Sequence, residues 1–367
     1  MPWETIIKDC RRRLGRSSFK TLDEYAQHLF EFVEKHLGHV FTSAVRHNEF
    51  SELLVRQFFQ MRNLLAERPE VADATTIEEL EAALAKVVAD RLKDMRAAKP
   101  PEGINAEDVN QVVADFLDEV VKDTGEFEMR HEKLGAPKLK QFSEEWKKQF
   151  WELMIRVAMQ RYRQLASMTG VVVAGYGSDD FFPGYVHYGC YGFLNHRLAV
   201  VKLGASNISG DNTSQIQAFA QAEMSETFMV GVSPEVLGFV SEATDSCLSK
   251  VTNELQQAGA TLPPDWQKRL ETLQQEHRDL WMKKAIDRHW RPLSRVVGSL
   301  PIEDMATLAE TLVALTSLKE RVTQGTETVG GAVDVAVMTR GDGFIWVKRK
   351  HYFDPSLNPR YFDRLRR

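Results

Sequence analysis

The first 168 residues carry apolar side chains at intervals of three and four positions, which is the period of an amphipathic helix. Residues that commonly cap helices stand at several predicted starts. Thr21 and Thr76 each lie three positions before a glutamate, and Ser143 precedes the last helix. This part of the chain is therefore predicted to be helical, with helices at about 3–14, 21–37, 49–66, 76–98, 105–123 and 143–168.

The pattern changes at Gly170. The β-branched run 171–175 predicts a short buried strand, residues 184–191 alternate as a strand does, and 197–203 is interpreted as their hairpin partner. A loop rich in glycine, serine and asparagine follows. Beyond it the helical period returns, and the predicted helices lie at about 214–229, 234–257, 265–296 and 301–322.

A last pair of strands is predicted at 332–338 and 343–347, joined by a tight turn at Asp342-Gly343. All the predicted strands are grouped in hairpins, and none alternates with helices in the β-α-β manner. This grouping predicts an α+β fold with antiparallel sheets.

Composition narrows the class of protein. A chain of 367 residues with 43% hydrophobic and 27% charged residues is neither disordered nor collagen-like, and its length fits two domains or one domain with a large insertion. Its 47 basic and 52 acidic residues give a net charge of −5, so nucleic acid is not an expected partner.

The sequence also indicates the compartment. The start of the chain lacks the pattern of a secretory signal, and no run of about 18 apolar residues predicts a membrane span. Three cysteines, Cys10, Cys190 and Cys247, are an odd number without paired spacing, which argues against a disulfide framework. We therefore expect a cytoplasmic protein with no membrane partner, and we interpret Cys190 and Cys247 as buried apolar groups.

Familiar catalytic and metal motifs are not matched. Gly175-Tyr176-Gly177-Ser178 lacks the spacing of a nucleophile elbow and is interpreted as a strand-end turn. His277-Arg278-Asp279-Leu280 copies the start of a kinase catalytic loop but falls inside a predicted helix. His187 and Cys190 are three apart on a strand, so they would face opposite ways. We predict neither a cofactor nor a metal site.

The C-terminal segment from Lys348 to Arg367 holds seven basic residues against two aspartates. Such a segment could hold a nucleic-acid strand by charge and stacking. We favour a solvated tail whose aromatic side chains pack back on the protein, namely Tyr352, Phe353, Tyr361 and Phe362.

Two segments, in the order in which they occur along the chain, resemble a known protein family. The first is Met168-Thr169-Gly170-Val171-Val172-Val173-Ala174-Gly175-Tyr176-Gly177. The second is a helix from Met305 to Thr316 that leads through Thr328-Val329-Gly330-Gly331 into 332–337. Together they resemble the second half of a bacterial proteasome β-subunit-like protein of the N-terminal-nucleophile (Ntn) hydrolase superfamily.

The resemblance covers about 1–15 and 168–350. It implies a layered αββα sandwich as the core, with 16–167 as a helical insertion and 351–367 as a basic, aromatic tail.

The resemblance also implies a chemistry. Such enzymes hydrolyse amide bonds with an N-terminal threonine, serine or cysteine whose own α-amino group acts as the base. That residue opens a strand pair before the first helix, whereas residues 2–8 here already match the first helix. The fold is thus expected to be incomplete at its N-terminus, with the nucleophile and its supporting Asp and Lys upstream of Met1, and the protein to be inactive in this form.

The sequence also departs from the family pattern just before the Gly-Gly turn. An Asp and a Ser just before the Gly-Gly turn would correspond to Thr326 and Val329, which do not reproduce that chemistry, although Glu327 is adjacent.

One alternative would supply a nucleophile. Cleavage before Thr169 would expose a threonine at the head of a strand, with Lys202 as the partner that lowers its pKa.

Two other functions remain open. The first is a non-catalytic interaction or assembly protein that binds partners through 16–167. The second is a nucleic-acid-associated protein that works through its tail. Self-association is expected because a sheet without its full set of strands leaves an exposed edge.

Overall fold

The computed structural model describes residues 3–36, 41–195, 197–210, 213–219, 221–323, 333–349 and 353–365. The chain forms two compact units, which we name unit 1 (Met1–Ser206) and unit 2 (Asn207–Arg367). Helices and small antiparallel sheets make up both, so the predicted α+β class is confirmed.

Unit 1 begins with helices whose starts follow the predicted caps. The side chains of Thr76 and Ser143 accept hydrogen bonds from the amides three residues on, at 3.2 Å in both cases. Thr42 does the same for a helix that starts earlier than predicted. The helices are α1 (Trp3–Leu14), α2 (Leu22–His36), α3 (Ser43–Ala66), α4 (Pro69–Ala72), α5 (Ile77–Ala97), α6 (Ala106–Asp123) and α7 (Glu144–Leu165).

The larger core of unit 1 lies between α3, α5, α6 and α7. Large aromatic side chains fill it, with the Phe58 and Trp151 rings stacked at 5.7 Å and the Trp146 and Phe150 rings at 4.9 Å. The largest side chains that are fully buried in unit 1 include Phe50, Phe58, Phe116, Phe150, Trp151 and Tyr162.

A three-stranded sheet completes unit 1, in the order β1 (Thr169–Gly175), β2 (Gly184–Leu194) and β3 (Arg197–Asn207). β1 runs antiparallel to β2, with Thr169 opposite Cys190. The helices α1 and α2 cover one face and form a second core with it, which includes Ile6, Cys10, Ala26, Phe30, Val33, Val171, Val186, Tyr188 and Cys190.

Other side chains of the sheet join the helical core. Leu194, Ala199 and Val201 are buried in the same cluster as the side chains of α3 to α7. The helical block 16–167 and the first sheet therefore lie in one compact unit that ends at Ser206, whereas the sequence suggested a boundary near residue 168. The two divisions differ because apolar contacts from the β2–β3 hairpin join the helices to the sheet.

Unit 2 is mainly helical, and a β-hairpin precedes its last helix. The predicted strands are found as an antiparallel pair, β4 (Val335–Thr339) and β5 (Gly343–Lys348). A π-helical turn, Ile286–Trp290, joins two of the helices. The helices are α8 (Glu223–Val230), α9 (Pro234–Gln257), α10 (Trp266–Ala285), α11 (Arg291–Val297), α12 (Ile302–Thr323) and α13 (Pro359–Leu365).

Two predictions for unit 2 are wrong. The helix predicted at 214–229 begins only at Glu223. Ser214 instead uses its hydroxyl to donate to the Ser294 carbonyl of α11, at 2.6 Å. Cys247 is exposed rather than buried, because it lies on α9, which has no buried residue.

The remaining sequence predictions concern a kinase-like motif, the residues before the Gly-Gly turn and membrane spans. His277 and Arg278 lie inside α10, as expected for a chance match to a kinase motif. Thr326, Glu327, Val329 and the Gly-Gly turn at 330–331 lie outside the described residues. Within the described ranges, no helix has both the length and the apolar character needed to cross a bilayer.

Candidate functional site

A recess of about 270 Å³ lies in unit 1 at the start of β1, where the sequence suggested Thr169 as a nucleophile. Thr169 is part of its wall. Helix α3 contributes Glu49, Glu52 and Arg56, which recur at intervals of three and four residues and so lie on one face of the helix. The other lining residues are Trp3, Leu53, Ala166, Ser167, Cys190, Tyr191, Gly192 and Phe193.

The β2 side of the recess depends on Gly192, whose φ of 88° is in the left-handed region that favours glycine. This conformation changes which face the next side chains occupy, so Phe193 joins the core under α1 and α2 while Leu194 joins the helical core. The Phe193 N–H donates to the Glu49 carboxylate at 3.1 Å. A Cβ at position 192 would lie 3.2 Å from the same carboxylate oxygen.

Arg56 holds the opposite wall. Its Nη1 donates to the Leu165 carbonyl at 2.8 Å, which satisfies a carbonyl at the C-terminal end of α7. Its Nη2 lies 3.8 Å from the Glu52 carboxylate. The guanidinium therefore fixes the segment that leads from α7 into β1, and with it the position of Thr169.

Cys190 is the buried thiol at this recess, and its environment makes it a poor nucleophile. Burial raises the pKa of Cys190, an N–H of Gly192 opposes that change, and the nearby charge of Glu49 adds to it. A thiol with a raised pKa stays protonated at neutral pH, and the protonated form does not attack carbonyl groups. The predicted structural role of Cys190 is consistent with this environment.

Lys202, the proposed partner of Thr169, is bound elsewhere in unit 1. Its Nζ donates to both carboxylate oxygens of Asp23, at 2.7 and 2.8 Å, and the Tyr188 hydroxyl donates to the same carboxylate at 2.5 Å. Partial burial acts to raise the pKa of Asp23, but the hydrogen bonds from Lys202 and Tyr188 outweigh it and lower the pKa. Burial and the carboxylate raise the pKa of Tyr188.

The structure thus gives the two suggested residues different neighbours. Thr169 borders the recess with acidic side chains, whereas Lys202 is paired with Asp23 and does not belong to the recess lining within the described residues. That lining, as far as the structure describes it, has no histidine that could act as a general base. The charged groups of that lining are the carboxylates of Glu49 and Glu52 and the guanidinium of Arg56.

Sequence reasoning did not find Glu49, Glu52 and Arg56. Their spacing within a predicted helix is the signal that was available, but it also fits an ordinary solvated face. Only contacts between α3 and strands more than a hundred positions later bring them together, as the Phe193–Glu49 hydrogen bond shows.

The structure also describes most of the aromatic side chains of the tail and allows a search for metal sites. The rings of Phe353, Tyr361 and Phe362 contact one another in the tail, with centroids between 5.0 and 6.4 Å apart, and Tyr352 lies outside the described residues. Among the residues that the structure describes, no group of histidine, cysteine and carboxylate side chains could hold a metal ion.

Comparison of the chain with protein-family models, with curated proteins and with solved structures finds no match.

Proposed function

We propose that this chain is a proteasome-β-like protein of the Ntn-hydrolase fold, related to enzymes that hydrolyse amide and peptide bonds, and that its described residues do not catalyse hydrolysis. The observation that carries the proposal is the order of elements. An antiparallel sheet, β1 to β3, follows the first helices, and a later long helix, α12, precedes the β4–β5 hairpin. The layered αββα sandwich belongs to this proposal.

The exposure of the two sheets supports it. Leu198, Ala199 and Val201 of β3 are buried, but beyond them Leu203 is 43% exposed. Every residue of β5 is exposed, including four large apolar ones, Phe344, Ile345, Trp346 and Val347. A two-stranded hairpin is at best marginally stable in water by itself, so the exposed apolar side chains of the β4–β5 hairpin fit an architecture in which a further sheet covers them.

The absence of hydrolysis follows from the surroundings of Thr169. Its backbone nitrogen is part of the peptide bond to Met168, so it cannot act as the base that an N-terminal nucleophile requires. The ammonium of Lys202 is held by Asp23. Removal of residues 1–168 would also expose Leu194, Ala199 and Val201, whose partners lie in α3 to α7.

The function test uses fluorogenic peptide amides and a threonine-directed electrophile on the full chain, followed by intact mass spectrometry. We expect no turnover, no adduct and a single species that retains residues 1–168. Hydrolysis that is lost in Thr169→Ala, but kept in Ser167→Ala at the same recess, would overturn the inactive assignment.

The fold is tested by hydrogen exchange in β4 and β5. A covering layer predicts that the amides of Gly343–Lys348 exchange at least ~100-fold more slowly than in an unstructured peptide. Exchange near the unstructured rate would show that nothing covers the hairpin, and the sandwich would then have to be abandoned.

A second candidate, a non-catalytic interaction protein, is favoured by a different observation. Within the described part of 16–167, the large exposed apolar side chains are Val45, Phe59 and Leu64, and the Arg62 guanidinium lies 4.5 Å from the Phe59 ring centroid. Many more such side chains are exposed in unit 2. Partner binding, if it is the function, is therefore better assigned to unit 2 than to the helical block.

A further inference from the structure

The chain between α6 and α7 turns back on itself, and we call residues 129–137 the connector tip. Met129 donates its N–H to the Pro137 carbonyl at 2.8 Å, and His131 donates its N–H to the Gly135 carbonyl at 3.0 Å. Gly135 has a φ of 75°, in the left-handed region that favours glycine, so the chain can reverse there. A ladder this short is marginal in water by itself, so the connector tip depends on contacts with other elements to stay in place.

One buried side chain, that of His131, joins the connector tip to α4. His131 is only 3% exposed. Its Nδ1 accepts a hydrogen bond from the Leu134 N–H at 3.1 Å, and its Nε2 lies 2.7 Å from the carbonyl oxygen of Val71. Val71 belongs to α4 and lies 60 positions earlier in the chain. The ring therefore holds the turn of the connector tip on its own side and α4 on the other.

These two contacts fix the protonation state of the His131 ring. A backbone N–H can only donate, so the Nδ1 that faces Leu134 carries no proton. A carbonyl oxygen can only accept, so the Nε2 that faces Val71 carries one. The ring in this arrangement is a neutral imidazole with its proton on Nε2, and neither nitrogen is free to take up another proton.

A second proton on the ring would break the arrangement. An imidazolium has an N–H at both nitrogens, so its Nδ1–H would be directed at the Leu134 N–H, donor against donor. Its charge would also be buried, which is costly unless an opposite charge is paired with it. Within the part of the chain that the structure describes, the ring forms no ion pair with a carboxylate.

The charged side chains around the connector tip face the solvent instead. Lys133 is 51% exposed, and its Nζ lies 3.7 Å from the carboxylate of Asp73, which is 86% exposed. The Arg62 guanidinium of α3 donates to the Glu128 carbonyl at 3.1 Å, just before the connector tip. The other charged residues of the connector tip and of α4 are exposed as well, namely Arg130, Glu132 and Glu70.

We propose that His131 is an acid-sensitive latch, which holds the connector tip on α4 while its ring is neutral and releases the tip when the ring takes up a proton. A histidine side chain in water takes up a proton near pH 6.5, so the released tip binds a proton that the closed tip has no place for. The contact is therefore complete above about pH 6.5 and weakens as the pH falls below it.

Release of the latch would change the surface of unit 1. Val71 and Met129 are 1 and 2% exposed and belong to the helical core, so opening of the connector tip would bring apolar side chains into contact with water. A fall in pH would thereby uncover a surface that is closed at neutral pH. The inference is independent of the proposed function, because it concerns the helical block and not the sheets.

Hydrogen exchange on the full chain between pH 7.5 and pH 5.5 tests the latch. The readout is the protection factor of the Leu134 amide, which compares its exchange with that of an unstructured peptide at the same pH. We expect this factor to fall about tenfold, since pH 5.5 is one unit below the ordinary titration of histidine. The Leu139 amide, which donates to the Phe127 carbonyl at 2.8 Å outside the connector tip, is the internal reference and should change by less than about twofold.

His131→Asn is the matched variant. The asparagine side-chain oxygen can still accept from the Leu134 N–H but takes up no proton, so the protection of Leu134 should become independent of pH. His28→Asn on α2 is the control, because it also removes one histidine from unit 1 but should keep the tenfold fall. A fall of the same size in His131→Asn, or constant protection in the unaltered chain, would overturn the proposal.

Nitrogen-15 NMR of the His131 ring tests the latch in the unaltered chain and needs no variant that must fold. At pH 7.5 we expect the signal of an unprotonated nitrogen at Nδ1 and of a protonated one at Nε2. The imidazolium signals should appear over the same pH range in which the Leu134 protection is lost. An imidazolium at pH 7.5, or a neutral ring with its proton on Nδ1, would overturn the proposal.

Discussion

Helices α3 and α9 are each 24 residues long, yet they lie in very different surroundings. α3 of unit 1 buries seven side chains, including Phe50 and Phe58, whereas α9 of unit 2 buries none. Both have the apolar spacing of an amphipathic helix. The contrast shows that this spacing specifies a helix but does not ensure that a core forms against it.

The same contrast holds for the two units as wholes. Unit 1 has two clusters of buried apolar side chains that connect its helices and its sheet. In the described part of unit 2, the buried apolar residues are Leu270, Val297, Ala306, Leu312 and Val335. Since helices of this length gain most of their stability from packing, we expect unit 2 by itself to be less stable than unit 1.

The largest expected effect concerns the units as separate fragments. We expect 1–206 to fold alone and to unfold in one cooperative transition, because both clusters are complete within it. We expect 207–367 at low concentration to lose its helical signal gradually on heating. Circular dichroism against temperature and urea measures both. A sharp transition of the monomeric second fragment would show that unit 2 also has a cooperative core, and the contrast between the two units would then be wrong.

Matched phenylalanine deletions should show the next largest difference. Phe58→Ala removes a fully buried ring that stacks on Trp151, and we expect it to lower the free energy of unfolding by about 3–5 kcal/mol. Phe239→Ala removes a ring that is 58% exposed and should change that free energy by less than about 0.5 kcal/mol in the monomer. Urea denaturation of the full chain at low concentration gives both values. Equal losses would mean that the α9 surface is part of a core.

Helix boundaries could be predicted from the sequence more accurately than the burial of side chains. The boundaries of α5, α7 and α9 could be predicted to within a few residues, because local signals such as Thr76 and Ser143 mark where backbone N–H groups find partners. Burial could not be predicted in the same way. Cysteine is a residue type that is usually buried, but Cys247 lies on α9, which has no buried residue, so its predicted burial was wrong.

The candidate site was predicted only in part, for a related reason. Thr169 was noticed because it heads a strand, and it does border the recess. Its expected partner Lys202 instead meets Asp23, which lies 179 positions earlier in the chain. Glu49 and Arg56 enter the site through contacts of comparable range, and the pattern of a single sequence does not contain such pairings.

Ion pairs give a smaller difference between the units. Glu152 receives hydrogen bonds from Arg96 at 2.6 and 2.9 Å and from Arg156 at 2.9 Å, which joins α5 to α7. Burial acts to raise the pKa of Glu152, but the two guanidinium groups lower it overall. We expect Glu152→Gln to cost about 1.5–3 kcal/mol in urea denaturation, because a charged hydrogen-bonded acceptor is lost.

The matched pair in unit 2 is Arg278 and Asp245, at 3.5 Å with both side chains 39% exposed. Solvent screens such a pair, so Asp245→Asn should cost less than about 0.5 kcal/mol. An Asp245→Asn loss as large as that of Glu152→Gln would show that the α9–α10 contact is as firmly held as the contacts of unit 1.

The smallest expected effect is a pH dependence in unit 1 that arises from Asp23. Its pKa is lower in the folded protein than the ~3.9 of an unfolded chain, because Lys202 and Tyr188 hydrogen-bond the ionised form. The resulting stabilisation is fully present above about pH 4 and is lost as the pH falls through the folded pKa.

The Lys202–Asp23 pair is partly exposed, so the contribution is about 1 kcal/mol or less. Urea denaturation between pH 3 and pH 6 should show a shallower acid decline for Asp23→Asn than for the unaltered chain. Lys202→Met should have a similar effect, and the double variant should add little, since both changes remove the same interaction. Parallel curves for all the proteins would mean that the pair does not contribute to the acid sensitivity of unit 1, and that its cores alone distinguish it from unit 2.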